Sequence, residues 1–262
     1  MRISGLPSLD IPSVERKVVE FIRTESGGRG LVLGLSGGVD SAVVAALSAR
    51  AVDGERVLAL IMPDEAASDP ADMRDATDYA GVLGLRHETI NITPLHNCFM
   101  NSVPGSGDRL AEGNVKARLR MALLYYFANS EGRIVVGSGD RSELAMGYFT
   151  KYGDGGADIL PIGGLYKTQV RSMAKHLGVP ERIVKKKSSP SLWAGQRAED
   201  ELGIDYDEAD LILHLHLDNG HGRGRLIEDL GKGWERKIDR VLVRLAANSH
   251  TLKMPPVAEI KN

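Results

Sequence analysis

The sequence predicts an α/β fold: a doubly wound, mostly parallel five-stranded sheet with helices on both faces, Rossmann-like in its winding. Two observations carry this. Short apolar runs at 31–35 (LVLGL), 57–62 (VLALIM) and 133–137 (RIVVG) alternate with stretches of helical period, the mark of buried parallel strands joined by helices. The first run leads directly into a glycine turn, SGG, and then a helical pattern, which is how such a sheet presents a binding edge.

In chain order, residues 13–23 read as a short helix with Val14, Val18, Phe21 and Ile22 on one side. Leu31, Val32, Leu33 and Leu35 form the first strand, and Val43, Val44, Ala46 and Leu47 belong to the helix after it. Val57–Met62 is the second strand, ended by Pro63 and Asp64, with a helix over 70–83 that closes near Gly84. Arg86–Ile92 is a third strand. From Thr93 to Gly113 the pattern dissolves, and PGSGD at 104–108 has the composition of a mobile loop. Residues 114–128 are helical, and Arg133–Gly137 gives a fourth strand. The glycine- and charge-rich stretch 147–170 has little period; Lys167 opens a helix that stops at Gly178 and Pro180. Tyr206–Leu217 and Trp234–Leu245 form a helical C-terminal part, about 205–250, so that 1–262 reads as one domain.

The chemistry is concentrated at LVLGLSGGVDS, residues 31–41. A strand, a tight turn and a helix start aim unpaired N–H groups and the positive helix end at one spot, a seat for phosphate. Ser36 and Ser41 add hydroxyls, while Asp40 would repel a phosphate unless a divalent cation lay between them. No lysine follows the glycines, so this is not the Walker loop. A second strand end carries Ser138, Gly139, Asp140, Arg141, Ser142 and Glu143 at the same edge. Lys151, Asp154, Asp158 and Lys167 are candidate ligand contacts in the stretch that a core alone would not order. The plainer readings are a helix-start carboxylate for Glu143, a surface arginine for Arg118, turn residues for Ser138 and Ser189, a mutual pair for Lys151 and Asp158, and a solvated first-turn residue for Lys167.

Composition narrows the class. A formal net charge of −2 with charged residues at 26% argues against a general nucleic-acid binder. No run approaches a membrane span, and no apolar segment near Met1 suggests a signal peptide, so we expect neither. Cys98 is the only cysteine, which excludes an internal disulfide and a multi-cysteine zinc site and suits a reducing cytoplasm. His214, His216 and His221 match no standard metal spacing.

The SGGVDS string resembles the pyrophosphate loop of ATP pyrophosphatases. With NVKARLRM, GSGDRSE, GYFTKYGDGG, LYKTQV and LWAGQ in this order, the chain resembles the ammonia-dependent NAD+ synthetases from about residue 14 to 257. That resemblance implies formation of NAD+ from deamido-NAD+, ATP and ammonia through an acyl adenylate, with AMP and pyrophosphate released. It implies that Gly34, Leu35, Ser36, Gly37, Gly38, Val39, Asp40, Ser41, Ser138, Lys167 and Ser189 contact ATP. By the same resemblance Asp40 and Glu143 bind Mg2+, with Lys167 beside them in catalysis. Arg118, Lys151, Asp158 and His250 would contact deamido-NAD+, and the protein would be a homodimer. A different acceptor for the same adenylating chemistry is the alternative. The family's His-Lys-Arg before a double proline is here His250, Thr251 and Leu252, with Lys253 and Met254 before Pro255 and Pro256; its Thr-Asp-Glu after LWAGQ is Arg197, Ala198 and Glu199; and Asp140 stands where asparagine is common.

Overall fold

A computed structural model describes residues 5–105, 107–248, 253 and 255–260. Helix α1 (Ile11–Ser26) starts at Asp10, whose side chain accepts from Ser13 N at 3.2 Å, and ends on Gly27. Then follow β1 (Gly30–Gly34), α2 (Val39–Val52), β2 (Val57–Ile61), α3 (Pro70–Val82) and β3 (Arg86–Thr89). The next elements are α4 (Thr93–Ser102), α5 (Arg109–Glu131), β4 (Arg133–Val136) and α6 (Arg141–Met146). The chain continues as α7 (Lys167–His176), α8 (Glu181–Val184), α9 (Ala198–Leu202) and α10 (Tyr206–Leu213), which runs into a π-helical turn over His214–Asp218. Helices α11 (Arg223–Leu230) and α12 (Glu235–Asn248) complete it.

Among the described residues the sheet has four strands, all parallel, in the order β3-β2-β1-β4. The alternation of side chains along each strand divides the core into two layers. Leu31, Leu33, Val57, Ala59, Ile61, Ile134 and Val136 face α1, α2, α3 and α7. Val32, Leu58, Leu60 and Val135 face α5 through Ala128, Leu123, Leu124 and Phe127. The doubly wound reading therefore holds. A third cluster, with Met146, Tyr166, Leu202, Tyr206, Ile212, Leu226 and Ile238, binds the C-terminal helices into a layer of their own. Neighbouring strands on the two sides of β1 come from opposite directions of winding, which places the topological switch between β1 and β4.

The count of five strands is corrected to four, and the reason is visible at the β4 edge. Ile159 makes a single parallel bridge to Val136 where a fifth strand would lie. The Val135 N–H is met by the carboxylate of Asp158 at 2.7 Å instead of by a strand carbonyl, and Pro161 soon follows, with no N–H to extend a ladder. The expected loop at 93–113 is also corrected: α4 and the start of α5 fill most of it. Pro94 sits in the first turn of α4, and none of the helix's residues is buried, so its apolar side chains left no core-facing signal. Asp108, whose carboxylate accepts from Leu110 N at 2.9 Å and Ala111 N at 3.2 Å, starts α5.

Candidate active site

A cleft of about 510 Å³ opens at the C-terminal ends of the strands, over the switch between β1 and β4. Its floor is the turn from β1 into α2. Gly34, Leu35, Ser36, Gly38, Val39, Asp40 and Ser41 all line it, and so do Ser138, Glu143 and Ser189 from three later segments. Sequence-distant residues thus converge as the strand-end pattern predicts.

The turn is built to hold one shape. Ser41 Oγ donates to the Gly38 carbonyl at 3.0 Å, accepts from Ser36 N at 3.2 Å and lies 3.1 Å from Ser36 Oγ. Gly37 has φ +77°, and a Cβ there would stand 2.3 Å from the Asp72 carbonyl oxygen of α3; only glycine allows that approach. The Gly37 carbonyl accepts from Lys186 Nζ at 2.9 Å, and the same ammonium pairs with Asp72 and, at 3.1 Å, with Asp75. The turn, the start of α3 and the 185–187 segment are fastened at one point.

At the rear of the cleft stands Lys167, the first residue of α7, wholly buried. Its ammonium lies 2.7 Å from Asp40 Oδ2, 2.7 Å from Glu143 Oε1 and 2.9 Å from Asp140 Oδ2. Burial alone would pull this ammonium down; the three carboxylates outweigh burial and hold it well above the usual lysine range. Burial and the neighbouring carboxylates push Glu143 well above the usual carboxylate range against the pull of Lys167. Asp140 is pushed up to about 6, mainly by burial, with Lys167 opposing and Asp40 adding repulsion. One cation among three carboxylates leaves negative charge in excess. Asp40 Oδ1 is buried without a hydrogen-bond partner among the described residues.

The plainer reading of Glu143 is also true: Asp140 Oδ1 accepts from Glu143 N at 2.8 Å and Glu143 Oε2 accepts from Asp140 N at 3.4 Å, a reciprocal start for α6. The same side chain serves the helix with one oxygen and Lys167 with the other. Lys167 itself does not open on the cleft lining but stands behind it.

Of the residues assigned to the second substrate, Arg118, Lys151 and Asp158 are not gathered in this cleft. Arg118 is exposed on α5 and donates to the Lys151 carbonyl at 3.3 Å. Lys151 Nζ lies 3.4 Å from the Lys253 carbonyl and 5.3 Å from the Tyr152 ring centroid. Asp158 does not pair with Lys151; besides the Val135 amide it accepts from Tyr125 OH at 3.0 Å, in a separate recess with Glu25, Arg29 and Arg133. His250, with Thr251 and Leu252, lies outside the described residues.

The sequence reading missed several cleft residues. Asp72 and Lys186 line it; the Lys185–Lys187 run was the only signal for the second, and nothing marked the first. Arg120, whose Nε donates to the Met62 carbonyl at 3.0 Å, also lines it. Lys116 is buried and bonds both Asp64 Oδ2 and the Leu192 carbonyl at 3.0 Å. It ties the end of β2 to the segment that carries Ser189.

The family model described as NAD synthase matches residues 14–255. An NH(3)-dependent NAD(+) synthetase of Hyperthermus butylicus is 48% identical over 260 residues, which are 98% of this chain and 94% of that protein. Among solved structures, an NMN synthetase from Francisella tularensis has a TM-score of 0.83 at 34% identity, covering 97% of this chain and 100% of that one. An NH3-dependent NAD synthetase from Campylobacter jejuni, in complex with the nitrate ion, has a TM-score of 0.81 at 32% identity, covering 96% and 100%. The likeness spans the sheet, the cleft and the C-terminal helices together, and the chain belongs to the NAD synthase family.

Proposed function

We propose that this chain amidates deamido-NAD+ with ammonia at the expense of ATP, giving NAD+, AMP and pyrophosphate. The observation that carries the reading is the meeting of Lys167 with Asp40 and Glu143 at 2.7 Å each, beside the Ser36–Ser41 cradle at the strand ends. A carboxylate is a poor acyl donor, so the nicotinate oxygen attacks the α-phosphorus of ATP. The bond to the bridging oxygen breaks and pyrophosphate leaves. Ammonia then adds to the acyl adenylate, loses a proton, and AMP departs. The turn 36–41, with Ser138 and Ser189, seats the triphosphate through amides and hydroxyls. Lys167 stands behind the cleft and acts through the carboxylates it contacts, holding Asp40 and Glu143 in place and offsetting part of their charge beside the phosphates.

Mg2+ fits the residues present. Among the described residues no three His, Cys, Asp or Glu side chains are arranged to hold a metal by themselves. Mg2+ requires only one or two carboxylates when phosphate oxygens and water complete its shell. Asp40 and Glu143 would hold it, and the unpartnered Asp40 Oδ1 supports this. When bound, the ion neutralises phosphate charge and so removes the repulsion between Asp40 and ATP.

The protein acts as a homodimer in this reading, with deamido-NAD+ reaching Arg118, Lys151, Asp158 and His250 near the joined surfaces. The placement of Arg118, Lys151 and Asp158 outside the ATP cleft supports that arrangement. We place the protein in the cytoplasm, a reading that its single free cysteine supports. Among the described residues no helix is long and apolar enough to cross a membrane. The test is an assay of the purified chain with ATP, ammonium or glutamine, and deamido-NAD+ or its mononucleotide counterpart. We expect AMP, pyrophosphate and NAD+ with ammonium, and loss of turnover in Asp40→Ala. Release of ADP and phosphate would defeat the mechanism, and a preference for the mononucleotide would replace the acceptor.

A further inference from the structure

Helix α7 is started in part by its own Gln169, whose Oε1 accepts from Tyr166 N at 2.9 Å, and in part by residues that lie far from it in sequence. The first N–H groups of a helix have no partner within it, and the usual remedy is a small polar side chain just before the helix. Here that position is Tyr166, which is not such a residue. The Lys167 N–H instead donates to Ser142 Oγ of α6 at 2.9 Å. The Thr168 N–H and hydroxyl donate to Asp210 Oδ2 at 2.9 and 2.8 Å. Ser142 Oγ donates to the other carboxylate oxygen, Asp210 Oδ1, at 2.5 Å.

Asp210 lies on α10 and is completely buried, as is Ser142. One carboxylate therefore grips both α6 and α7 at their starts. Those two helices carry Glu143 and Lys167, which meet at 2.7 Å. Both partners leave the backbone within one residue of the Asp210 contacts, so the grip sets where each begins. A negative group at the start of α7 is also favoured by the helix dipole.

We infer that Asp210 is a positioning residue: it aims Lys167 into the carboxylate cluster through Ser142 and Thr168, and touches neither substrate nor reacting phosphate. This inference rests on the catalytic place given to Lys167 above. It assigns a part in the chemistry to the C-terminal helical layer.

The test compares Asp210→Asn, Ser142→Ala, Lys167→Ala and the double variant Lys167→Ala/Asp210→Asn, each first checked for native circular dichroism. AMP release is measured against ATP concentration. We expect kcat of Asp210→Asn to fall about ten- to a hundredfold, the scale of a misplaced catalytic group, with a smaller change in KM for ATP. Ser142→Ala, which leaves the Asp210 charge in place, shows the same split. In the Lys167→Ala background the Asp210→Asn change costs less than about twofold, because residues acting through one another are not additive. The inference is overturned if the two losses multiply, if Asp210→Asn keeps wild-type kcat, or if its loss falls on KM alone. Should Asp210→Asn not fold, Ser142→Ala decides: a kcat loss supports the inference and a wild-type kcat ends it. Full turnover in Lys167→Ala alone would overturn both this inference and the catalytic reading beneath it, a result distinct from multiplied losses.

Discussion

Gly37 shows how little freedom the phosphate turn has. Its φ of +77° and the 2.3 Å approach of the Asp72 carbonyl to a built Cβ are two separate penalties on any side chain. Gly37→Ala is expected to cost about 2–3 kcal/mol, the range for a strained backbone position with a clash. The loss is read as a lower Tm together with weaker ATP binding, while a variant with wild-type Tm would show that α3 yields without cost. Lys186 is the companion residue. It binds the Gly37 carbonyl and both Asp72 and Asp75, so the turn is fastened to the start of α3 by a residue of the cleft wall. The glycine was legible as SGG in the sequence. The clash partner was not, because Asp72 lies on another element and carries no motif.

At the scale of elements, the segment after α8 that carries Ser189 has little regular structure and depends on tethers from other parts of the chain. Lys116 of α5 provides one, bonding the Leu192 carbonyl and the Asp64 carboxylate at the end of β2. Burial pushes the Asp64 carboxyl up, but the hydrogen bond and charge of Lys116, with the Ala66 amide and the Arg120 charge, outweigh it and hold the group below its usual 3.8. A carboxyl depressed on folding stabilises the fold above its unfolded pKa, and that contribution is lost as the pH falls through the folded value. Lys116→Met leaves Asp64 buried without its contacting cation, held only by the Ala66 amide at 2.9 Å, which is expected to cost about 3 kcal/mol at pH 7. In the variant Asp64 takes up its proton at a higher pH than in the parent. Denaturant titrations should therefore show the gap between the two proteins narrowing on acidification across the ordinary aspartate range and closing below it. A gap independent of pH would show that Lys116 acts by packing alone. Helix α4 marks the limit of reading at this scale. Leu95 and Phe99 stand four residues apart, yet none of the helix is buried, and the neighbouring Pro-Gly-Ser-Gly-Asp dominates the pattern.

For the whole molecule, assembly turns on the surfaces that the fold leaves uncovered. Helix α5 covers one face of the sheet and leaves Tyr126 at 65% exposure on its outer side, with Arg118 exposed on the same helix. If the second substrate meets residues from two copies of the chain, this helix is the natural contact. Light scattering should give twice the chain mass, and Tyr126→Glu should shift the protein toward monomer while raising KM for deamido-NAD+. A monomeric parent with full activity would end the dimer reading.

Local rules were enough to determine the four strands, the glycine turn that floors the cleft and both ends of α3 and α7, because each depends on side-chain period or on the needs of a neighbouring backbone. The family followed from motifs in the same order. Tertiary structure alone decided the number of strands, since Asp158 caps the β4 edge with a side chain where a backbone was expected. It alone placed Lys167 among three carboxylates and set Asp210 behind it. Those contacts join residues separated by 24 to 127 positions, and the pairing of buried charges depends on which elements pack together, a matter on which no local stretch of sequence carries information.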